Sequence, residues 1–184
     1  MALAVAAVLF GKVKLITFEL MSNHVHMILS GTQDDCLELF ARFKQRLKGV
    51  FRSIGRVVDW ESFQPDTIRI GSLKSLRNEI IYVNRNAYVV RADYTPFSYP
   101  WGGGWAYFTP VISKLPVKTV KEVGFNRSRE LTGCRDVARL TQLRFFDDVV
   151  FIPSFCSIDI GESLFHDAKT YFYSLTRNIE AFSE

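Results

Sequence analysis

Two of the three histidines in this chain stand one residue apart inside the apolar run of residues 21–30. Alternate side chains of a β-strand point to opposite faces, so a strand here places His24, His26 and Ile28 on one face. The other face is uniformly apolar and consists of Val25, Met27 and Leu29. We expect the apolar face to turn toward the core, with the imidazoles about 7 Å apart along the opposite face. Such a pair can bind one divalent metal together with a third ligand, or can stand on a wet face of the sheet without one.

The composition fits a folded protein of one domain, or of one domain with an appendage. Of its 184 residues, 48% are hydrophobic and 14% aromatic, which is enough to bury a core. Three widely spaced cysteines, Cys36, Cys134 and Cys156, exclude a cysteine-based zinc knuckle and indicate a reducing compartment such as the cytoplasm. Residues 1–10 are apolar but too few to cross a bilayer. They also lack a basic leader, so we expect a buried helix and no membrane partner.

Positive charge is concentrated in the middle third of the chain. Residues 36–92 contain eleven Lys and Arg against five Asp and Glu, whereas residues 110–184 are balanced. Localised basic charge directly after the histidine strand indicates a phosphate-bearing partner, although a solvated basic helix face would look the same. The predicted DNA-binding residues are Arg42, Lys44, Arg46, Lys48, Arg52, Arg77 and Arg85.

Hydrophobic periodicity predicts an α+β protein with helices and short strands in mixed order. In the first part we expect strands over residues 13–20, 24–30 and 67–70 and helices over 36–56 and 73–90. Residues 93–104 are too rich in Pro and Gly for regular structure, and we expect Tyr99 and Trp101 to anchor them to the core. After residue 110 we expect helices over 117–132, 135–143 and 159–182 and a hairpin within 145–155. His166, beside the last helix, is expected to be a surface residue.

A third metal ligand can come from the helix over residues 73–90. Tyr82 and Asn86 are four residues apart and therefore share a helix face, one turn from each other. An amide oxygen suits a hard divalent ion, so Asn86 could complete a set with His24 and His26. A phenol beside a metal that polarises a phosphodiester could attack phosphorus. Tyr82 taken alone also fits an ordinary half-buried helix aromatic.

These segments, taken in order, resemble single-tyrosine HUH transposases, and most closely the REP-associated tyrosine transposase group. The resemblance covers roughly residues 1–108 and is carried by the segments 21–26, 82–86, 90–92 and 99–101. It implies a ferredoxin-like HUH endonuclease core with an antiparallel sheet over residues 1–109, and a mostly helical accessory segment over 110–184. It also implies DNA transposition and recombination chemistry, with Mg²⁺ or Mn²⁺ at His24, His26 and Asn86. Tyr82 would form a 5′-phosphotyrosine link to single-stranded or hairpin DNA, and the assembly could be a homodimer.

Two departures from the family pattern qualify what the resemblance implies. Ala87 and Tyr88 follow Asn86 where the family has Pro. The chain also begins inside the family's first helix, so we expect the sheet to lack a strand and to have an edge that must be covered or paired. A catalytically inactive DNA-binding remnant is therefore the main alternative. A His-x-His metal hydrolase would need further ligands, whereas replication initiators and relaxases share the same metal and tyrosine chemistry.

Overall fold

The computed structural model describes residues 1–90, 93–95 and 97–177. The chain is α+β, about half helical, with two small antiparallel sheets, which confirms the predicted class. Its residues form two compact units, each assembled from three chain segments. The first unit comprises Met1–Lys14, Leu29–Thr67 and Ser113–Cys156, and the second comprises Leu15–Ile28, Ile68–Ile112 and the chain from Ser157 on. The predicted division at residue 109 stays a prediction.

The regular elements are short apart from two long helices. In the first part of the chain they are α1 (Ala2–Phe10), β1 (Lys14–Leu20), β2 (Val25–Ser30), α2 (Gln33–Ser53) and α3 (Leu73–Val90). The remainder contains β3 (Lys118–Thr119), α4 (Val120–Val123), α5 (Phe125–Thr132), β4 (Arg144–Phe146), β5 (Val149–Val150), α6 (Ile158–Glu162) and α7 (Ala168–Thr176). Short 3-10 turns lie at Gly104–Ala106, Ile112–Lys114, Val137–Leu140 and Ile152–Ser154. Among the described residues, no helix is both long and apolar enough to cross a membrane.

The core of the first unit is built around α1. Residues 3–7 of this helix are buried, which confirms the expected buried helix at the start of the chain. Ala4 and Val5 belong to a buried cluster with apolar side chains from the later segment of the unit. Those side chains are Val120, Cys134, Val137, Leu140, Leu143, Phe145 and Val150.

The sheet of the first unit contains the predicted hairpin. Strands β3, β4 and β5 are adjacent in that order and antiparallel. The two residues between β4 and β5, Asp147 and Asp148, have φ of 46° and 63°. Positive φ at both central residues is the backbone geometry that a two-residue hairpin requires, and Asp tolerates it better than most residues.

Helix α2 begins three residues earlier than predicted, because Thr32 caps it. The Thr32 hydroxyl accepts a hydrogen bond from the backbone N–H of Asp35 at 3.1 Å. Leu39 and Phe43 are buried, as expected of the apolar stripe. The last turns do not follow the prediction, since Val50 and Ile54 are 48% and 62% exposed.

The segment between α2 and α3 is irregular, so the strand predicted over residues 67–70 is wrong. Ile68 is 85% exposed, and no strand pairs with this segment within the described residues. Alternating β-branched residues form a strand only when a neighbouring strand takes up their backbone hydrogen bonds.

In the second unit, the end of β1 is paired on both sides. On one side β2 returns through a turn closed by the Met21 N–H donating to the His24 carbonyl at 2.9 Å. On the other side Gly102 forms an antiparallel bridge with Glu19, and the Gly103 N–H donates to the Phe18 carbonyl at 2.8 Å. The edge that we expected to need a partner is therefore paired by a later segment of the same chain.

This later segment approaches β1 closely because two of its residues are glycines. A Cβ added at Gly103 would lie 2.9 Å from the Thr17 Oγ1, and one added at Gly102 would lie 3.3 Å from the Glu19 Cγ. Tyr99 is half-buried and its hydroxyl donates to the Leu20 carbonyl, which confirms the predicted anchor. Trp101 is 61% exposed, so its predicted packing onto the core is wrong.

Our prediction that the face of β2 without the histidines turns toward the core is also wrong. Ile28, on the histidine face, is only 4% exposed, whereas the opposite face is only partly buried. The reason lies in β1, where residues 15–19 are buried without interruption, so both faces of this strand are covered. Alternation in β2 alone cannot distinguish its faces when the face carrying histidines is also packed.

Helix α3 has the predicted bounds, and the Ser72 hydroxyl accepts from the Ser75 N–H at 3.0 Å. The single helix predicted over residues 159–182 is wrong within the described residues. It is divided into α6, which begins at Ile158 without a side-chain cap, and α7, which Asp167 caps. The end of the predicted helix lies outside the described residues.

Candidate metal and nucleophile site

Three of the predicted site residues meet in the second unit. The Nε2 atoms of His24 and His26 are 3.0 Å apart, and their rings are nearly perpendicular, with centroids 4.7 Å apart. The ring of Tyr82 stands edge-on to His26 at a centroid distance of 5.5 Å. The imidazoles are closer than the 7 Å expected from the strand rise, because the side chains lean toward each other. A strand turn and a helix residue distant in sequence thus form one cluster.

Asn23 orients the first histidine. Its Oδ1 lies 2.7 Å from the His24 Nδ1. An amide oxygen only accepts, so the Nδ1 must carry the proton in this contact, and the neutral His24 ring keeps a lone pair on Nε2. That lone pair is directed at His26. Ligands of metal ions are commonly oriented in this way by a partner on the other ring nitrogen. Asn23 is not among the predicted site residues.

The imidazole pair fits a divalent metal. An octahedral ion with ligands at about 2.1 Å holds adjacent ligand atoms about 3.0 Å apart, which matches the Nε2–Nε2 distance. Partial burial, together with the neighbouring His24, lowers the pKa of His26, which favours the neutral ring that metal binding needs. A hydrogen bond between neutral imidazoles gives the same distance when no ion is bound.

Tyr82 and Asn86 are presented by α3 one turn apart, as predicted. Tyr82 is 36% exposed, so its hydroxyl is accessible to a ligand from solvent. Asn86 is half-buried, and its backbone N–H donates to the carboxylate of Glu19. The approach of the Asn86 amide to the two histidines stays a prediction.

Glu19 is a site-adjacent residue that the sequence analysis missed. It is 2% exposed, and its Oε1 accepts from the backbone N–H of Ala87 at 2.6 Å. Within the described part of the chain, its buried Oε2 has no hydrogen-bond partner. Burial raises the pKa of Glu19 to about 7, against the opposing effect of the N–H groups of Ala87 and Asn86. A lone acidic residue at an inward position of an apolar strand was the available signal.

A buried polar network connects β1 to two helices of the same unit. The Thr17 hydroxyl donates to the Asn84 Oδ1, and the Asn84 Nδ2 donates to the Tyr171 hydroxyl at 2.9 Å. Tyr171 stacks on Tyr107 at 5.4 Å, and the Tyr107 hydroxyl donates to a β1 carbonyl. Burial raises the pKa of Tyr171, so it stays a neutral phenol. These buried hydrogen bonds stabilise the packing of α3 and α7 on β1.

Most of the predicted DNA-binding cations on α2 also serve the protein itself. The Lys44 Nζ donates to the Phe63 carbonyl at 2.6 Å, and the Arg46 Nη2 donates to the Thr132 carbonyl at 2.9 Å. Arg42 pairs with Glu38 at 2.7 Å, Lys48 lies over the Trp60 ring at 5.9 Å, and Arg52 is exposed.

The two predicted DNA-binding residues of α3 differ from each other. Arg77 is exposed. Arg85 donates to the carbonyl of Arg177. The DNA-binding role of all seven cations stays a prediction.

His166 lies apart from the cluster, as expected of a surface residue. Its side chain is 89% exposed and pairs with Asp167 at 3.0 Å. Across the described residues, no three His, Cys, Asp or Glu side chains form a group that could hold a metal. Comparisons with protein-family models, curated proteins and solved structures found no match for this chain.

Proposed function

We propose that this chain is a single-strand DNA endonuclease and strand transferase of the single-tyrosine HUH type, with Tyr82 as its nucleophile. The observation that carries the proposal is the cluster in which the imidazoles of His24 and His26 meet 3.0 Å apart and Tyr82 stands edge-on to His26. A surface histidine pair would have no need of an orienting amide on one side and an accessible phenol on the other. The ferredoxin-like core belongs to the same proposal and is supported by the β1–β2 hairpin with α3 beside it.

In the proposed reaction the Tyr82 hydroxyl oxygen attacks the phosphorus of a phosphodiester in single-stranded DNA. A bond forms between phosphorus and the Tyr82 oxygen, and the bond from phosphorus to the 3′ oxygen breaks. The phenol proton passes to solvent water as the bond forms, and the departing 3′ oxygen takes a proton from solvent water to become a free 3′-OH. Joining DNA to another 3′-OH reverses these steps.

The residues that would hold Mg²⁺ or Mn²⁺ are His24, His26 and Asn86. Such an ion withdraws electron density from the phosphodiester oxygen that it binds. Asn23 contributes by fixing the proton on the Nδ1 of His24, so that the Nε2 stays available as a ligand. The basic charge of residues 36–92 supports a nucleic-acid substrate.

Covalent capture of DNA tests the proposal. The full chain is incubated with Mn²⁺ and a single-stranded oligonucleotide labelled at its 3′ end, the part of the strand that stays on the tyrosine, and adducts are resolved on a denaturing gel. We expect a labelled protein band that Tyr82→Phe abolishes while oligonucleotide binding stays within about threefold, because only the attacking oxygen is removed. Tyr88→Phe is the matched control, since Tyr88 is an exposed tyrosine on the same helix, and it should retain the band.

Two outcomes would contradict the assignment. Adduct formation by Tyr82→Phe would exclude Tyr82 as the nucleophile. Oligonucleotide binding without any adduct from the unmutated chain would support the alternative, a catalytically inactive DNA-binding remnant.

A further inference from the structure

The carboxylate of Glu19 contacts the backbone of α3 at the turn after Tyr82. In a regular helix, the N–H groups of Asn86 and Ala87 donate to the carbonyls of Tyr82 and Val83. Helix α3 is continuous from Leu73 to Val90. The Ala87 N–H also donates to the Oε1 of Glu19 at 2.6 Å, and the Asn86 N–H interacts with the same carboxylate. The contact lies at the turn that joins the proposed nucleophile to the proposed third metal ligand.

The same residue faces the histidine strand. The turn closed by the bond between Met21 and His24 pairs these two residues across the hairpin. Continuing the antiparallel ladder residue by residue places Glu19 directly opposite His26, on the same face of the sheet. Glu19 therefore links the strand pair that presents the imidazoles to the helical turn that presents Tyr82 and Asn86.

Packing leaves Glu19 little freedom. A Cβ at Gly102 would lie 3.3 Å from the Glu19 Cγ, so the glycine backbone already lies against the carboxylate stem. Glu19 is buried, and one of its oxygens has no hydrogen-bond partner within the described residues. An apolar side chain would fill this strand position at lower cost, because a buried polar atom without a partner destabilises the fold. A carboxylate that accepts two backbone N–H groups gives instead strong and directional contacts.

We infer that Glu19 is a positioning residue, which holds the Tyr82–Asn86 turn in register with His24 and His26. Its effect on catalysis rests on the proposed function, whereas its effect on the geometry of α3 does not. A displacement of about 1 Å between a nucleophile and its target can cost about 100-fold in rate.

Three substitutions at Glu19 separate positioning from simple packing. Glu19→Gln keeps an oxygen that accepts from the helix N–H groups, whereas Glu19→Leu removes the acceptor. Glu19→Asp keeps a carboxylate but shortens the side chain by one methylene, which moves the acceptor away from the helix. Thr17→Val is the matched control, because Thr17 is equally buried on the same face of β1 and donates to Asn84 on α3. The Asp variant keeps the test decisive if the Leu variant fails to fold.

Three readouts on the full chain are compared with the stability of each variant. They are the amide proton shifts of α3 by NMR, the affinity for Mn²⁺ alone, and kcat and KM for oligonucleotide cleavage. For Glu19→Leu and Glu19→Asp we expect upfield shifts confined to the Asn86 and Ala87 amides. Mn²⁺ affinity and kcat should each fall about 10- to 100-fold, the range seen when a group supporting metal ligands is lost, with KM unchanged. Glu19→Gln should restore all three readouts to within about threefold, and Thr17→Val should lose only stability.

Losses in Thr17→Val equal to those in Glu19→Leu would overturn the inference, because both residues would then act only through packing. Unchanged readouts in Glu19→Leu and Glu19→Asp would overturn it as well. If the unmutated chain forms no adduct, the proposed function fails, and the amide shifts and Mn²⁺ affinity alone decide the role of Glu19.

Discussion

At the residue scale, the pKa values of Glu19 and His26 are both shifted, and the two shifts affect stability with opposite signs. Glu19 has a folded pKa of about 7, raised by burial from an ordinary value of 4.5. The folded chain therefore binds more protons than the unfolded chain between these values, and this contribution to stability is lost as the pH rises through about 7. The pKa of His26 is lowered by burial, so its contribution increases as the pH rises.

Glu19→Gln should flatten the pH dependence of stability above pH 4.5. At pH 5 the wild-type chain has the advantage of a protonated Glu19, whereas at pH 8 it must bury a charged carboxylate. We expect the free energy of unfolding of the wild type, taken relative to Glu19→Gln, to fall by about 1–3 kcal/mol from pH 5 to pH 8. Urea unfolding at both pH values measures the difference. A constant difference would show that Glu19 has its ordinary pKa.

Asn23→Ala should weaken metal binding without removing a ligand. The substitution releases the Nδ1 proton of His24, so both tautomers become available and Nε2 is protonated part of the time. We expect about a tenfold loss of Mn²⁺ affinity by calorimetry. Ser22→Ala, at the other exposed position of the same turn, is the control and should bind Mn²⁺ as the wild type does. Equal affinities in all three chains would mean that Asn23 does not orient His24.

At the element scale, α2 shows why a basic helix need not be a uniform binding surface. Lys44 and Arg46 extend toward carbonyl groups of their own unit. Arg52, in the last turn, is exposed. The helix thus combines cations that hold the first unit together with a cation that can reach a phosphate.

Arg52→Ala should change the salt dependence of DNA binding more than Arg46→Ala does, because the Arg46 guanidinium already donates to the Thr132 carbonyl. Each lost phosphate contact lowers the slope of log affinity against log salt by about 0.7 for single strands. Arg46→Ala should instead destabilise the fold by about 1.5–3 kcal/mol, since it removes a charged donor from a partly buried carbonyl. Fluorescence anisotropy across a salt series and urea unfolding separate the two effects. A slope that is the same in Arg52→Ala would remove this position from the binding surface.

The elements that could be predicted from the sequence are those whose local pattern agrees with their packing. The helix over residues 73–90 combines a Ser cap with a buried stripe, and the hairpin around residues 147–148 combines a turn with two short apolar strands. The strand over residues 67–70 failed because pattern alone supplies no pairing partner. The helix over residues 159–182 failed because helical geometry stops at Glu162, and the Asp167 side chain, which accepts from the Thr170 N–H at 2.7 Å, caps the start of a separate helix.

The candidate site could be predicted only in part for the same reason. Spacing placed two histidines on one strand face and Tyr82 one turn from Asn86, and the cluster of His24, His26 and Tyr82 agrees with that placement. Spacing along one element says nothing about a carboxylate that enters from another strand. Glu19 therefore became visible only through its contacts with Asn86 and Ala87.

At the scale of the whole molecule, each unit depends on widely separated parts of the chain. The core of the first unit combines α1 with side chains from residues 120–150. In the second unit Tyr171 of α7 is fully buried and bonded to Asn84 of α3. A compact unit here does not correspond to a continuous stretch of sequence.

A fragment of residues 1–109 should therefore fail to fold. It would lack most of the buried cluster of the first unit, as well as Tyr171 with its hydrogen bond and its stacking on Tyr107. We expect no cooperative thermal transition by circular dichroism, whereas a fragment of residues 1–177 should show one. A cooperative transition in the shorter fragment would instead support residues 1–109 as an independent domain.

The glycine pair beside β1 has a consequence for the solubility of the protein. A strand edge with unpaired N–H and C=O groups is a template on which other chains can add and aggregate. The backbone of Gly102 and Gly103 covers this edge at the end of β1. Only glycine can approach so closely at residue 103, because a side chain there would collide with Thr17. A larger residue there would lift the segment and leave the template open to neighbouring molecules. We therefore expect the two glycines to limit self-association at this end of β1.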